Sequence, residues 1–279
     1  KPTTPSKPNL FKKSWNLLKE YWWVALCAVV MGVLGYYSNP KQASNTDNTS
    51  ETAYQTGINY WNSKNYDEAV NYFRTAAELG HANAQFEFGY AYWHGQGLPQ
   101  DYDEAVKWIL KAAKQGHADA QNHIGYSYKY GIGLPQDYEE AIKWYRKSAK
   151  QDNVHGQNNL GNCYYFGQGV KQDYKEAVKW YKKAAEQDHM DAQALLAACY
   201  YYGNGIAKDY EEAVKWYSKA AKQGNASAQY NLGVCYENGD GVEKDINKAI
   251  ELYQQAAQQG YEPAQDALTR LGRIPNEIN

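Results

Sequence analysis

The sequence predicts an all-α protein: a solenoid of stacked helix-turn-helix repeats preceded by one N-terminal transmembrane helix. A block of 36 residues recurs along most of the chain, so that Trp108, Trp144, Trp180 and Trp216 fall one period apart. A fixed period between about 20 and 50 residues is typical of stacked units that cover one another's apolar faces. Near the N-terminus, the uncharged residues 21–40 are long enough to span a bilayer as a helix.

The repeated part of the chain, residues 51–272, is predicted to form one elongated domain. Positions 1–36 are counted here from the first residue of each full unit. The units are a shorter one at Glu51–Ala82, five full ones at Asn83–Ala118, Asp119–Val154, His155–Met190, Asp191–Ala226 and Ser227–Glu262, and a half unit at Pro263–Gly272. Stacked units present a long surface, so the period favours binding as the function class. Residues 273–279 are predicted to be a C-terminal tail.

A basic tail of residues 1–20 precedes the uncharged span. It carries five lysines and one glutamate, a charge of +4, whereas the rest of the chain carries −6. By the positive-inside rule the tail is cytoplasmic, and the repeats lie outside the cytoplasm, on the periplasmic side of a bacterial inner membrane. Duplex nucleic acid requires clustered Lys and Arg, so the acidic solenoid predicts no nucleic-acid partner.

An alternative for the uncharged span is a cleaved signal peptide, because Val33 and Gly35 form a weak candidate cleavage site. The following residues 41–50 read KQASNTDNTS, which is polar and has no apolar period. This composition predicts a flexible linker between the transmembrane helix and the repeats.

The first helix of each unit is predicted from a stripe at positions 3, 6, 7 and 10, which are spaced as neighbours on one helix face. A glycine pair such as Gly131 and Gly133 should end this helix, since glycine readily adopts the left-handed conformation. An aspartate at position 19 with a glutamate three residues later, as in Asp137 and Glu140, indicates the N-cap of the second helix.

The second helix is predicted to bury small residues and one aromatic ring. In the unit Asp119–Val154 this apolar stripe comprises Ala141, Ile142, Tyr145, Ser148 and Ala149, with Trp144 on its flank. Aromatic residues are expected to fill the gaps between units. If the ring of Trp180 is fully buried between central units, its replacement by alanine should cost about 3–5 kcal/mol.

The resulting motif resembles the Sel-one-like repeat family, a branch of the tetratricopeptide-repeat superfamily. Unit His155–Met190 shows it in Leu160, Gly161, Tyr164, Gly167, Gly169, Asp173, Tyr174, Ala177, Trp180, Tyr181, Ala184 and Ala185. The resemblance covers about four-fifths of the chain and implies a right-handed α-solenoid that scaffolds protein complexes or binds peptides, usually without catalysis. The short unit Glu51–Ala82 lacks four loop residues and resembles an ordinary tetratricopeptide unit.

The cysteines and histidines follow the repeat and do not form a separate pattern. Cys163, Cys199 and Cys235 share position 9, and equivalent atoms of adjacent units should lie about 8–10 Å apart, too far for a disulfide. We interpret them as small buried packing residues. Three histidines share one inter-repeat turn and are interpreted as turn or cap residues: His81, His117 and His189. We therefore predict no catalytic residue, no metal ligand and no cofactor, and a hydrolase is disfavoured.

The best functional signal is the variable part of the first helices, at positions 1, 4, 8, 11 and 12, which is expected to line a concave groove. The candidate partner-binding residues are Phe86, Tyr90, Trp93, Asn122, Tyr126, Tyr130, Asn158, Asn162, Tyr165, Phe166, Tyr201, Tyr202, Tyr230 and Asn238. Tyr and Trp give a large contact area at low entropic cost, and Asn can pair with a peptide backbone.

The predicted partner of this groove is a protein or an extended peptide. Two alternatives stay open: the rings pack on one another and stiffen the stack, or they bind a glycan or cell-wall material. If the groove binds a partner, Tyr165 and Tyr201 are expected to carry binding energy without supporting the fold, because they lie off the core stripe.

Overall fold

The computed structural model describes residues 40–273, with side chains from residue 47 onward. Within this range the chain forms thirteen α-helices and no strand. The helices are α1 (Pro40–Asn62), α2 (Tyr66–Glu78), α3 (Ala82–His94), α4 (Tyr102–Lys114), α5 (Ala118–Tyr130), α6 (Tyr138–Ala149), α7 (Val154–Phe166), α8 (Tyr174–Glu186), α9 (Met190–Tyr202), α10 (Tyr210–Lys222), α11 (Ala226–Asn238), α12 (Ile246–Gln258) and α13 (Glu262–Arg270). The prediction of an all-α solenoid is confirmed.

Each full unit is a pair of helices joined by the glycine loop. The first helix of a unit packs against its own second helix and against the second helix of the preceding unit, so α5 lies between α4 and α6. This alternation continues from α1 to α13, and the buried residues form a series of small cores along the stack. The short helix α13 closes the series with Ala264, Ala267 and Leu268 buried and most of its polar residues exposed.

The second helices of the full units begin at the predicted aspartate caps. Asp137 Oδ1 accepts hydrogen bonds from the backbone N–H groups of Glu139 and Glu140, at 2.9 and 3.0 Å. The glutamate does not bond back to the aspartate, as a full capping box would require. It forms an ion pair with the lysine three residues later, at 2.6 Å between Glu140 and Lys143. Each cap contributes about 1 kcal/mol to stability.

The first helices begin and end at the predicted residues as well. His81, His117 and His189 are N-caps whose Nδ1 accepts a backbone N–H, and Asn153 and Asn225 replace them with a side-chain oxygen. At the other end of α7, Gly167 adopts a left-handed conformation with φ of 68°. The interpretation of the inter-repeat histidines as cap residues is confirmed.

The core of most units is a ring on the second helix packed against a small residue on the first; in the unit Asn83–Ala118, Ile109 takes the place of the ring. Tyr181 has no exposed surface, and a Cβ added at Gly161 would lie 2.6 Å from its ring. The same fit recurs between Tyr145 and Gly125. A glycine at position 7 therefore lets the two helices approach closely enough to bury a whole tyrosine at position 27.

The repeated tryptophans are less buried than that row of tyrosines. Trp180 is half-buried and packs on a core cluster that holds Leu160 and Cys163 of its own unit together with Ile142 and Tyr145 of the preceding one. Its outer face is covered by Lys183, whose ammonium lies 4.9 Å from the ring centroid. Trp180 therefore joins adjacent units, as expected, but it is not the fully buried ring; Tyr181 is.

The glutamine at position 3 explains why the Ala-Gln pair recurs. Gln121 is buried, and its Nε2 donates to the carbonyl oxygen of Ala113 in the preceding second helix, at 3.1 Å. Its Oε1 accepts a hydrogen bond from Gln151 at the end of its own unit, at 2.8 Å. The glutamine thus satisfies a carbonyl at one helix end and links three helices, although the sequence assigned it to a packing stripe.

Residues 41–50, which were predicted to be a flexible polar linker, lie within helix α1. Ser50 is buried, and its hydroxyl donates to the Asp47 carbonyl oxygen at 3.0 Å, a bond that competes little with the helix. The polar helix extends the first helix of the short unit, whose buried residues begin near Ala53.

The basic tail 1–20 and the transmembrane segment 21–40, apart from Pro40, lie outside the described residues. So does the predicted C-terminal tail beyond Arg273. Within residues 40–273, no helix combines the length and the apolar character needed to cross a membrane.

Candidate functional site

The first helices of the five full units share one row of residues on the surface. Positions 1, 5, 8 and 12 of α3, α5, α7, α9 and α11 follow the spacing i, i+4, i+7, i+11 of a single helix face. We name these twenty residues the first-helix face. All of them retain accessible surface, and three rings at position 12 are more than half exposed: Tyr130 at 51%, Phe166 at 59% and Tyr202 at 60%. These rings lie in consecutive units.

Positions 4 and 11, by contrast, join one unit to the next. The Tyr165 hydroxyl accepts a hydrogen bond from Asn204 Nδ2 at 3.0 Å, and the Tyr201 hydroxyl donates to Asp240 Oδ2 at 2.7 Å. Each ring also packs edge-on against the first tyrosine of its own second helix, with centroids 5.0 Å apart. Tyr165 and Tyr201, which were expected to be dispensable for the fold, both connect neighbouring units, so their replacement should also weaken the stack.

The fourteen candidate residues therefore divide into three groups. Exposed are Tyr126, Tyr130, Phe166, Tyr202 and Asn238; partly buried are Phe86, Tyr90, Trp93, Asn122, Asn162, Tyr165, Tyr201 and Tyr230; buried is Asn158. Many of the partly buried ones contact one another or the next unit, such as Asn122, whose Oδ1 accepts from Asn159 at 2.9 Å. The residues at positions 4 and 11 thus fit the alternative in which the rings stiffen the stack. The residues at positions 8 and 12 remain as candidates for a binding surface.

Sequence reasoning missed position 5, which lies on the same face. It holds Glu87 in α3 and His123 in α5, followed by Asn159, Leu195 and Asn231. Because positions 1, 8 and 12 had been selected, the helical spacing alone would have added position 5. The two titratable members of this row are mostly buried and form no ion pair or hydrogen bond with any described residue.

His123 is enclosed by three rings of the preceding unit. Phe86, Tyr90 and Trp93 contact its imidazole edge-on, with centroids 5.5, 5.9 and 5.7 Å away. The Nδ1 atom is buried and has no hydrogen-bond partner. Burial therefore lowers the pKa of His123 to about 4, so the imidazole is neutral at physiological pH.

This burial predicts a loss of stability in acid. The unfolded chain binds a proton at His123 below a pKa of about 6.5, whereas the folded chain does so only near 4, so stability should fall as pH drops between these values. The loss should approach about 2–3 kcal/mol. His123→Leu, the residue type found at the equivalent Leu195, should remove this loss when urea unfolding is compared at pH 7.5 and 4.5.

Asn231→Leu, which places leucine at the equivalent position of α11 without removing a titratable group, is the control and should keep the acid dependence of the parent protein. Glu87 titrates with the opposite slope, but it is present in every variant and cancels in the comparison. An equal acid loss in the His123 variant and its parent would contradict the assignment.

Glu87 is the carboxyl counterpart of His123 one unit earlier. Burial, and secondarily the charge of Asp119, raise the pKa of Glu87 to about 7. Tyr54 of α1 also lies close enough for its own pKa to be raised in part by the Glu87 charge. A half-buried carboxyl with an acidic neighbour and no cation destabilises the free protein at neutral pH.

The three described cysteines are buried and unpaired, as predicted. Burial raises the pKa of the Cys163 thiol to about 11 and those of Cys199 and Cys235 to about 12. Among residues 47–273 no group of three or more His, Cys, Asp or Glu side chains is placed to hold a metal ion. The row of thiols is thus a row of packing atoms.

Slow thiol chemistry is the expected consequence. Because the thiolate is the reactive species, Cys163, Cys199 and Cys235 should resist alkylation in the native protein at pH 7.5 and react fully in denaturant. Mass spectrometry of the modified chain measures this directly. A Cys163–Cys199 bridge, or rapid labelling of the native chain, would contradict the packing assignment.

Comparison with known proteins identifies the repeat. The family model described as "Sel1 repeat" matches the chain six times, at residues 51–81, 82–117, 118–153, 154–189, 191–225 and 226–261. The chain belongs to the Sel1 repeat family. Members of this family have a tetratricopeptide-like fold and are commonly scaffolds for protein interactions. The resemblance seen in the sequence is confirmed.

Solved structures agree with this assignment. A Sel1 repeat protein from Oxalobacter formigenes is 35% identical, with a TM-score of 0.75, covering 81% of this chain and 92% of its own. The protein c5321, described as a protective antigen of uropathogenic Escherichia coli with an SLR fold, is also 35% identical, with a TM-score of 0.72 over 82% of this chain. The match covers 51% of c5321, so this chain spans about half of its length.

A more distant likeness shows the fold alone. The protein pilF of Pseudomonas aeruginosa is 18% identical, with a TM-score of 0.60, covering 80% of this chain and 99% of its own. None of the curated proteins compared with the sequence matches it. The relatives therefore establish the Sel1 scaffold and leave its partner to be inferred from the first-helix face.

Proposed function

We propose that this Sel1 repeat protein is a scaffold without catalytic activity that binds an extended peptide or a partner protein along its first-helix face. The observation that carries the proposal is the row of exposed rings Tyr130, Phe166 and Tyr202 in consecutive units. Exposed aromatic side chains bury a large apolar area on binding and are enriched among the residues that dominate interface energies. Their neighbours at positions 4 and 11 hold the helices that carry them.

The same row of rings is also compatible with a glycan ligand, because an aromatic face stacks on a sugar ring. A protein partner is favoured by the polar residues that accompany the rings. Asn162, Asn231 and Asn238 lie on the first-helix face and retain accessible surface. Side-chain amides are suited to pair with the backbone of an extended segment.

Site-specific photocrosslinking in cells tests the proposal. A photoreactive phenylalanine analogue at Phe166 or Tyr202 should form adducts with one or a few proteins. The matched control is the same analogue at Tyr138, which is also exposed but begins a second helix. Adducts at Tyr138 alone would place the partner on another surface.

The glycan alternative predicts a different outcome of the same experiment. It predicts no protein adduct at Phe166 or Tyr202, together with retention of the purified chain on isolated cell-wall material. Phe166→Ala combined with Tyr202→Ala should then abolish retention. These two results together would show that the ligand is a saccharide and not a protein.

We further propose that residues 21–40 anchor the chain in a bacterial inner membrane with the repeats on the periplasmic side. The support is the uncharged length of the segment and the basic tail before it. Protease added to intact spheroplasts should digest the repeats. Protection of the repeats until the spheroplasts are lysed would contradict this orientation.

A further inference from the structure

The charged residues on the first-helix face indicate the charge of the ligand that it would bind. Among its twenty residues, three are acidic, Glu87, Asp119 and Asp191, and none is Lys or Arg. The second helices, in contrast, carry most of the lysines of the repeats, including Lys107, Lys143, Lys179 and Lys215. The face is therefore acidic and aromatic within a chain whose cations lie elsewhere.

We propose that the occupant of the first-helix face is an extended segment of a partner protein that presents lysine or arginine side chains to Glu87 and Asp119 and apolar side chains to Phe166 and Tyr202. This inference rests on the proposed function and specifies the chemistry of the partner.

Glu87 is the strongest support for a cationic occupant. Its carboxyl forms no hydrogen bond or ion pair within the described part of the chain; the charged group that acts on it is Asp119 from α5, and its own charge acts on Tyr54 from α1. Both are neutral or negative, so the fold supplies no compensating charge. An ammonium or guanidinium group from a ligand would stabilise the ionised carboxylate.

No described Lys or Arg forms an ion pair with Glu87, although the neighbouring helices α2 and α4 carry cations: Arg74 lies over the Phe88 ring at 5.5 Å and Lys111 over the Trp108 ring at 3.5 Å. Helix α3 contains no Lys or Arg, and the only one in α5 is Lys129. Lys129 occupies position 11, and its ammonium lies over the Tyr130 ring, 5.1 Å from the centroid. At the other end of the stack, Arg270 is held by Glu237 in a bidentate pair at 2.6 and 2.8 Å. Among the described residues Glu87 therefore has no cationic partner, whereas Asp119 accepts a hydrogen bond from Asn153 Nδ2 at 2.7 Å, so a cation for Glu87 would come from a ligand.

The apolar requirement comes from the central units. Phe166 and Tyr202 share the first-helix face with Leu195 and Ala198, and none of the four is a charged residue. Equivalent positions of adjacent units are about 8–10 Å apart, a distance that about three extended residues span. A segment of about ten residues therefore reaches from Glu87 on α3 to Tyr202 on α9.

Selection from a library of random peptides, each of about twelve residues, on the immobilised full chain tests the inference. The selected pool should be enriched in Lys and Arg over Asp and Glu by at least about threefold, and enriched in aromatic and aliphatic residues. Parallel selection on Glu87→Gln combined with Asp119→Asn should lose the basic bias and keep the apolar one. A pool without basic bias, or with an acidic one, would overturn the inference and leave the binding face intact.

A matched control and a second variant separate the two proposals. Asp103→Asn combined with Glu139→Gln changes two exposed acids of the second helices and should select the same basic pool as the parent. Phe166→Ala combined with Tyr202→Ala should lose selection altogether. For a single selected peptide, the Glu87 and Asp119 double variant should weaken binding at least about tenfold, which is about 1.4 kcal/mol.

Circular dichroism melts confirm that each variant is folded, and Glu87→Gln is expected to melt no lower than the parent. If the folded parent chain enriches no peptide at all, both the basic occupant and the proposed function are contradicted. If the parent chain selects peptides enriched in Asp and Glu, only the basic occupant is contradicted. If the basic pool survives in the Glu87 and Asp119 double variant, the acids assigned here are not its receptors.

Discussion

Replacing Tyr181 by alanine is expected to lower the free energy of unfolding by about 3–5 kcal/mol, the largest loss for any single truncation in the central units. The ring has no exposed surface and lies against Gly161, so its removal leaves a cavity that helix α7 cannot fill without moving. Its hydroxyl also donates to Asn162 Oδ1 at 2.8 Å. Urea unfolding monitored by circular dichroism measures the loss.

Two substitutions at neighbouring positions of the same helix serve as controls for this result. Lys179→Ala removes an exposed ion pair with Glu176 and should cost less than about 0.5 kcal/mol. Trp180→Ala should fall between the two, because the half-buried ring keeps one face covered only by Lys183. A larger loss for Trp180 than for Tyr181 would mean that the core ring of the unit has been assigned to the wrong residue.

Gly169→Ala is expected to be nearly as damaging, at about 2–5 kcal/mol. Gly169 has a φ of +70°, where a side chain costs about 1–2 kcal/mol. An added Cβ would also overlap the backbone carbonyl oxygen of Tyr138 at the start of the preceding second helix. Because that contact joins two units, the loss should appear both as a lower unfolding midpoint and as reduced cooperativity of the stack.

Gly167→Ala is the matched control, two residues earlier in the same loop. Its φ is +68°, but a new Cβ would meet the Cβ and backbone nitrogen of Gln172 at 3.3 Å and the Val170 carbonyl oxygen at 3.5 Å, with no overlap as close as the one at Gly169. It should therefore show the conformational cost alone, about 1–2 kcal/mol. Equal losses at the two glycines would show that the approach to Tyr138 contributes nothing to the stacking of units.

The period of the chain and the ends of its helices can be predicted from the sequence. The glycine pairs, the aspartate caps and the histidine caps act within a few residues of their own position, so local sequence is sufficient to predict them. The residues 41–50 are the exception among local predictions. Their polar composition suggests a linker, yet they continue the helix that the short unit requires, and composition alone cannot show that continuation.

The candidate binding residues were only partly separable by sequence. Variation along the repeat selects positions that differ between units, and both the surface at position 12 and the joints at positions 4 and 11 vary. Tyr165 and Tyr202 look alike in the sequence, but Tyr165 bonds to Asn204 of the next unit, and Tyr202 is 60% exposed. Bonds between residues 39 apart depend on how units stack.

The sequence by itself determined the Sel1 repeat, the boundaries of the repeat helices and the rows of small and aromatic residues, because each depends on spacing along one helix or one loop. Only the tertiary structure decided which ring is buried, which glutamine spans three helices and which acids lack a cation. Those properties depend on contacts between adjacent units, because the residues of the neighbouring helix determine how buried a side chain is and which charges lie near it. Glu87 differs little from any exposed glutamate in the sequence, and its lack of a cationic partner among residues 47–273 emerges only in the folded stack.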